Sequence, residues 1–432
     1  MALNVPGVVV MVFFYLMVFG TGIWASFKSK KVAKKTSADQ IEMTLLGNRG
    51  ISLVVGMFTM TATWIGGGYY TSLAEVTYNS SQGFPDIIII VTANATAFII
   101  LGFVFTKPMR DRRFVTMLDP FHIKYGKRVG CLFTILSLIA DIIWVPASLI
   151  SLGFGVSFFI FAIPPVIIGA VASTADWNKT SYGSPSPMER GDGEIIFPIA
   201  LNYLTPPYIA IFGMGAVAAG VMSSTDSGLL SAATTFSTNI YKDILRPQAS
   251  QREMQWVIRA VVVMVGILGT ALTSIQKGTM AIWYIAVTMT YCFMFPQLIC
   301  VLFFNVANCY GSIMGFLIGL VLRLLCGWSD LRIPAVLHLP GGYYKDEVYI
   351  QRFPVSTLCM LCSLACILLF SYLAALLFDK GIIPEAWDLL NFLKLPRKLP
   401  PMVASKEEKN LRLQEKEDPH QDPSEPMMNT SC

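Results

Sequence analysis

The sequence predicts an all-α, polytopic membrane protein of about ten spans. Its 432 residues are 54% hydrophobic and only 14% charged, where soluble domains carry about 25% charged residues. Apolar runs long enough to cross a bilayer recur at 5–27, 51–71, 87–106, 130–150, 152–172, 206–236, 260–276, 281–304, 311–327 and 355–378. The charges gather in a few loops between these runs. The net charge of +5 therefore says little about partners, and nucleic acid is not expected; the surroundings of the apolar runs are membrane lipid.

The first run, Val8 to Ala25, is span-length and has no basic stretch ahead of it, so it reads as a span and not as a cleavable leader. The loop after it holds Lys28, Lys30, Lys31, Lys34, Lys35 and Arg49. The loop after the third run holds Lys107, Arg110, Arg112, Arg113, Lys124, Lys127 and Arg128. Both belong inside by the positive-inside rule, which puts the N-terminus outside. Asn79-Ser-Ser81 and Asn178-Lys-Thr180 then fall in outside loops as glycosylation acceptors. Asn94-Ala-Thr96 also matches but sits at membrane depth and is discounted.

The count of crossings then conflicts with the charges. Loop 237–255, with Lys242, Arg246 and Arg252, belongs inside. Between it and the inside loop 107–129 lie the runs 130–150, 152–172 and 206–236, where an even number is required. Either 130–172 crosses once, or an odd number of spans is absent. Pro146 and the Gly153/Gly155 pair favour two separate segments. The remaining runs alternate regularly. The chain divides into a transmembrane domain, 1–390, and a charged, disordered cytoplasmic tail, 391–432.

Met57-Phe-Thr-Met-Thr-Ala-Thr-Trp64-Ile-Gly-Gly-Gly68-Tyr-Tyr70 stands out among the spans. Each glycine costs a helix about 1 kcal/mol relative to alanine, so three in a row predict a break. A break frees backbone groups that hydrocarbon cannot satisfy, and it is tolerated only where it lines a cavity or binds something. Thr59, Thr61, Thr63 and the freed carbonyls are hard oxygen ligands for a small cation. Trp64, Tyr69 and Tyr70 offer faces that attract quaternary ammonium groups. The same glycines also fit a close helix–helix contact.

Ionisable residues inside spans mark sites by default. Asp141 and Trp144 share a helix face at i, i+3 and suit an organic cation; a hydrogen-bonded structural acid is the alternative. Asp226 accompanies a hydroxyl stripe, Ser223, Ser227, Ser231, Thr234 and Thr238. That stripe offers sodium ligands or interhelical hydrogen bonds. Arg323 lies about a turn from the end of its span and reads as a snorkelling residue with no assigned role. Cys359, Cys362 and Cys366 read as small apolar residues in one span. No histidine cluster, nucleotide loop or nucleophile arrangement supports an enzyme.

Several stretches together resemble the choline-carrying branch of the sodium:solute symporter family. They are Thr59-Met-Thr-Ala-Thr-Trp64-Ile-Gly-Gly-Gly68, Lys107-Pro-Met-Arg110, Val115-Thr-Met-Leu-Asp-Pro120, Tyr125-Gly-Lys-Arg128, Asp176-Trp-Asn178, Val221-Met-Ser-Ser224 and Phe295-Pro-Gln-Leu298. The resemblance covers nearly all of the chain except the tail. It implies the five-helix inverted-repeat fold with midplane sites between broken helices. It also implies sodium-coupled, chloride-dependent choline uptake for acetylcholine synthesis, with homo-oligomers possible. The implied location is a plasma membrane, with synaptic-vesicle and endosomal membranes as alternatives.

The resemblance places sodium between the carbonyls of Thr61 and Trp64 and the later helix at Gly220, Ser223 and Ser224, to which the reading of the hydroxyl stripe adds Asp226. It places choline against Trp64 and Trp144, and the reading of the residues adds the broken backbone at Gly66 and Gly67, Tyr69 and Asp141. Asn94 stands where the family has a tyrosine, and the family's acidic residue near Gly327-Trp328 is replaced. About thirteen spans are implied, and this chain shows ten. The missing block, three spans including a second Gly-broken helix, falls near 148–155. Two other functions stay open: a symporter for another small cation or zwitterion, and a non-transporting chain that associates with full-length transporters.

Overall fold

The computed structural model describes residues 5–33, 55–56, 59, 61, 63, 66–79, 84–112, 114, 116–143, 154–273, 279–328, 331, 333–345, 348–351 and 353–399. Helix α1 is Val5–Ala33, and α2 is Gly67–Asn79. Helix α3, Phe84–Ile100, continues through a π-helical turn into Lys107–Asp111. Then come α4 (Asp119–Ile143), α5 (Phe154–Thr174) and the short α6 (Ile196–Leu204). Helix α7, Pro207–Thr235, runs on as a π-helix to Leu245. It is followed by α8 (Gln251–Thr273), α9 (Thr279–Met289), α10 (Phe295–Phe303) and α11 (Cys309–Leu325). A hairpin, β1 (Tyr343–Lys345) with β2 (Val348–Ile350), precedes α12 (Val355–Asp379).

Among the described residues, six helices are long and apolar enough to cross a membrane, and α11 is a shorter apolar helix. Their outer faces carry exposed apolar side chains such as Phe19, Ile89, Phe212, Ile267 and Leu369, as lipid-facing helices do. The largest buried cluster joins α4, α10, α11 and α12 through Phe121, Phe133, Val301, Phe316, Cys359 and Ile367.

Helices α11 and α12 meet at backbone distance. Gly311, Gly315 and Gly319 stand at i, i+4 and i+8, and a methyl group on the first two would collide with Ser371 and Ile367 respectively. Small residues at this spacing let helix backbones approach in lipid. The crossing is fully hydrogen-bonded: Ser363 Oγ donates to the Gly315 carbonyl at 2.9 Å, and Asn308 N donates to Ser371 Oγ at 3.0 Å.

The basic loops collect at one end. Lys127 Nζ donates to the Asp243 carbonyl at 3.0 Å, and Asn239 Nδ2 donates to Thr116 Oγ1 at 3.0 Å. Buried Lys124 donates from Nζ to the carbonyl of Val301 at 3.2 Å, supporting the free carbonyl end of α10. The chain after α12 returns to this end. Arg128 Nη1 donates to the Leu389 carbonyl at 2.8 Å, Phe392 is buried, and Leu395 lies against Gly126. The expected tail boundary at 391 therefore moves. Residues Asn391 to Leu399 dock on the helix ends because Phe392 fills a space between Tyr310 and Phe378. Residues beyond 399 lie outside the described residues.

The opposite end carries the loop after α5. Met188 N donates to Tyr78 Oη at 3.1 Å, and Gly193 sits against the Asn79 side chain. Gly169 of α5 packs on Thr77 and the Ala74 carbonyl, so the C-terminal ends of α2 and α5 lie side by side there. A helix of 21 residues is about 30 Å long, so α5 starts near the basic end. Helix α4 also starts at the basic end, turning into its span at Gly126, where φ is 81°. Helices α4 and α5 thus run in the same direction. The residues joining them, 144–153, lie outside the described residues. Successive spans ordinarily alternate, so the charge-count conflict reappears as geometry.

Candidate functional site

The glycine run does interrupt its helix. The chain bends at Gly66, and α2 restarts at Gly67, with the Tyr69 N–H donating to the Gly66 carbonyl at 3.1 Å. The bend rests directly on the middle of α7. A Cβ at Gly66 would overlap the Ser224 hydroxyl and stand 2.8 Å from the Gly220 carbonyl. One turn on, Thr63 Oγ1 lies 3.2 Å from Ser227 Oγ. Residues 220, 223, 224 and 227 form one face of α7 by helical spacing, and that face receives the interrupted helix.

Most hydroxyls of the α7 stripe are consumed locally. Ser227, Thr234 and Thr238 each donate to the carbonyl four residues back, as does Thr225 beside the stripe. Ser224 differs: its Oγ is buried and has no hydrogen-bond partner. A buried oxygen without a partner costs about 1–3 kcal/mol. Here it faces Gly66, at the bend between the helical residue Thr63 and α2. The oxygens there, Ser224 Oγ and the Gly220 carbonyl, are hard, which suits sodium in chemistry.

The other expected residues are placed as follows. Gly66, Gly220 and Ser224 come together, while Ser223, next to Ser224 on α7, accepts from Ser227 Oγ through its carbonyl. Gly67 begins α2, and Thr61 is helical and half-buried. Asp226 is exposed, about 200° around the helix from Ser224, so it lies off the face that meets Gly66. Tyr69 packs against the cluster of Leu73, Ile87, Val91, Phe98 and Ala162. Asn94 is half-buried, and its Nδ2 donates to the Ile90 carbonyl of its own helix at 2.9 Å. Trp64 and Trp144 lie outside the described residues, as does the side chain of Asp141. Asn79 and Asn178 are both exposed at the end opposite the basic loops.

Sequence reasoning missed two features. Apolar character fades after Thr71, which leaves Glu75 beyond the apolar run 51–71. Helix α2 nevertheless continues to Asn79, leaving Glu75 only 8% exposed. It lines a cavity of about 510 Å³ with Val76, Asn79, Asp86, Ile89, Ile90 and Tyr284. Arg323 does not snorkel: it is 8% exposed and folds onto Gly327 and Trp328.

Residues 181–319 match the family model described as Sodium:solute symporter family. The chain is 33% identical to the High-affinity choline transporter 1 of Torpedo marmorata, over 90% of this chain and 89% of that one. It is 31% identical to the High affinity choline transporter 1 of Homo sapiens, with the same coverage. The chain belongs to the sodium:solute symporter family.

A more distant relative, the Sodium/proline symporter of Escherichia coli, is 28% identical over 40% of this chain and 29% of that one. Among solved structures, a Na+-coupled sialic acid symporter in a substrate-bound outward-open state superposes with a TM-score of 0.56 at 11% identity. It covers 85% of this chain and 97% of that one. That similarity shows the fold, a multi-pass helical bundle. The alignment to the Torpedo relative runs over 522 positions, more than the 432 residues of this chain. At least 90 positions of that alignment therefore have no residue here.

Proposed function

We propose that this chain is a sodium-coupled choline symporter of a plasma membrane, dependent on chloride and able to form homo-oligomers. The observation that carries the reading is the contact of Gly66 with Gly220 and Ser224, where the Ser224 hydroxyl has no partner. Sodium seated there joins freed carbonyls, those of Thr61 and Trp64 included, to Ser223 and Ser224. It thereby holds the interrupted helix against α7. The same helix carries the substrate wall, so an ordered break also orders the surface that meets choline. Trp64 and Trp144 supply aromatic faces for the quaternary ammonium, with Asp141 adding charge and Gly66, Gly67, Tyr69 and Asn94 shaping the wall. The sodium gradient then drives uptake as the two sides open alternately. Asn79 and Asn178 are glycosylation sites on the outer surface.

An aromatic face is worth roughly 0.5–2 kcal/mol to a cation. Trp64→Leu should therefore weaken choline binding several-fold more than Trp64→Phe. Equal losses would remove the cation–π contribution.

A second reading is favoured by one observation, the common direction of α4 and α5. An odd number of spans missing near 148–155 accounts for it, and the unmatched positions of the Torpedo relative are enough for three. A chain so shortened binds sodium and choline at the Gly66 crossing but lacks the second broken helix that alternates access, and it pairs with full-length transporters. Reconstitution in liposomes decides between the readings. Saturable, sodium-dependent choline uptake at the rate of a full-length relative supports a complete symporter. Binding without uptake supports the second reading, and neither binding nor uptake contradicts both.

A further inference from the structure

Helix α12 ends at Asp379, and the chain after it folds back as a strap over the end of the molecule that carries the basic loops. The strap is firmly held. Arg397 Nη1 donates to Asp379 Oδ2 at 3.1 Å, and its guanidinium carbon lies 5.6 Å from the centre of the buried Phe392 ring. Arg128 Nη1 donates to the Leu389 carbonyl. The Asp388 carboxylate turns inward, accepting from Tyr310 Oη at 3.0 Å and from the backbone N–H groups of Phe392 and Leu393. Its sequence neighbours do the opposite: Trp387 and Leu389 are each 73% exposed, and Ile382 is exposed as well. An ordered segment thus presents an indole and two branched aliphatic side chains, a face that water does not favour.

Charge says what covers this face. The two carboxylates nearest it are engaged, Asp379 by Arg397 and Asp388 by Tyr310 and the backbone. The cations are not. Lys380, Lys394 and Lys398 are exposed and enter no ion pair among the described residues. Arg128 is exposed too. The Arg397–Asp379 pair draws the two ends of the segment together, so Lys380 and Lys398, each next in sequence to one of its members, lie close. Against these cations stands the exposed Glu385.

A second copy of the chain would set the same cations against themselves. An anionic leaflet answers both features at once. Its headgroups pair with lysine and arginine, and tryptophan is enriched where headgroups meet acyl chains. The position agrees. Helix α12 exposes Leu361, Leu369 and Tyr372. Its 25 residues span about 37 Å, enough to carry its end through a hydrocarbon core of about 30 Å into the headgroup layer.

We propose that the strap from Ile382 to Lys398 binds the anionic lipid headgroups of the leaflet at the basic end. Trp387 and Leu389 sit just below those headgroups, and Arg128, Lys380, Lys394 and Lys398 pair with their phosphates and carboxylates. This surface stands apart from the Gly66–Ser224 crossing, and its test requires neither sodium nor choline.

The purified full chain is placed in nanodiscs of phosphatidylcholine, with or without one third phosphatidylserine. A water-soluble acylating reagent is added, and modification of each lysine is read by mass spectrometry. Phosphatidylserine should slow acylation of Lys380, Lys394 and Lys398 about threefold or more, beyond any change at Lys179, which is exposed in the loop at the opposite end. Equal acylation in the two lipids overturns the proposal, whether the lysines stay open or are covered by the chain beyond Leu399. So does the same protection from inorganic phosphate in phosphatidylcholine discs, which assigns the cations to a soluble anion. Protection that tracks cross-linked dimers assigns the face to a second copy and overturns it too.

A second measurement reads the indole. The emission lost on Trp387→Phe is compared in discs of ordinary lipid and of lipid brominated on its acyl chains. Bromine quenches a tryptophan seated at the interface, so this difference should shrink about twofold or more in brominated lipid. An unchanged difference leaves Trp387 in water and overturns the proposal. The lysine readout uses the wild-type chain, so it stands even if the variant fails to fold.

Discussion

Two helix crossings in this molecule use the same chemistry, glycine against serine, and come out differently. Where α11 meets α12, Gly311, Gly315 and Gly319 pack on Ser371, Ile367 and Ser363, and both serine hydroxyls are engaged. Where the interrupted helix meets α7, Gly66 packs on Gly220 and Ser224, and the Ser224 hydroxyl is left without a partner. Close approach is common to both, so close approach does not mark a site. The oxygen left unsatisfied at a backbone break does. The first crossing is a structural joint. The second leaves one oxygen open, and the proposed sodium would complete it.

Bulk at each crossing separates these roles most strongly. Gly315→Val would push a branched side chain into Ile367 and the Ser363 carbonyl, an overpacking worth about 1–3 kcal/mol or more. A lower unfolding midpoint at every sodium concentration is expected. Gly66→Ala would press on Ser224 and Gly220. Its expected effect is a loss of sodium-dependent choline binding by about tenfold or more, with sodium no longer raising the unfolding midpoint. If sodium stabilises Gly66→Ala as it does wild type, the two crossings do not differ in the way described.

A smaller effect probes the scaffold around the joints. Burial pushes the Lys124 ammonium down from 10.5 to about 8. Between those values the unfolded chain keeps a proton that the folded chain has released, so stability rises with pH across this window. The slope of unfolding midpoint against pH should flatten in Lys124→Met. An unchanged slope assigns it to another group.

The break at Gly66, the hydroxyl stripe on α7 and the basic end were legible in the sequence, because each is a local signal: glycine run, hydroxyl spacing, lysine and arginine clustering; Ser224 entered only through the family resemblance. The same-direction pair α4 and α5 was legible as an arithmetic conflict before any geometry. What was not legible depends on contacts between distant segments. Lys124 reads as one more loop cation until it meets the carbonyl end of α10. Glu75 falls outside its apolar run, although the helix carrying it continues. Phe392 belongs to a polar tail by composition and to the core by position. The stripe on α7 was legible as a pattern, but only its partners distinguish Ser224 from its neighbours.

The account rests most directly on that hydroxyl. Equilibrium choline binding to the purified chain, measured as sodium is raised, compares Ser224→Ala with Ser363→Ala. Binding should require sodium. Removal of one oxygen ligand should raise the sodium needed by Ser224→Ala about tenfold, while Ser363→Ala lowers thermal stability and leaves the sodium dependence where it was. Binding that ignores sodium, or equal shifts in the two variants, would contradict the assignment of the Gly66–Ser224 crossing as the ion site.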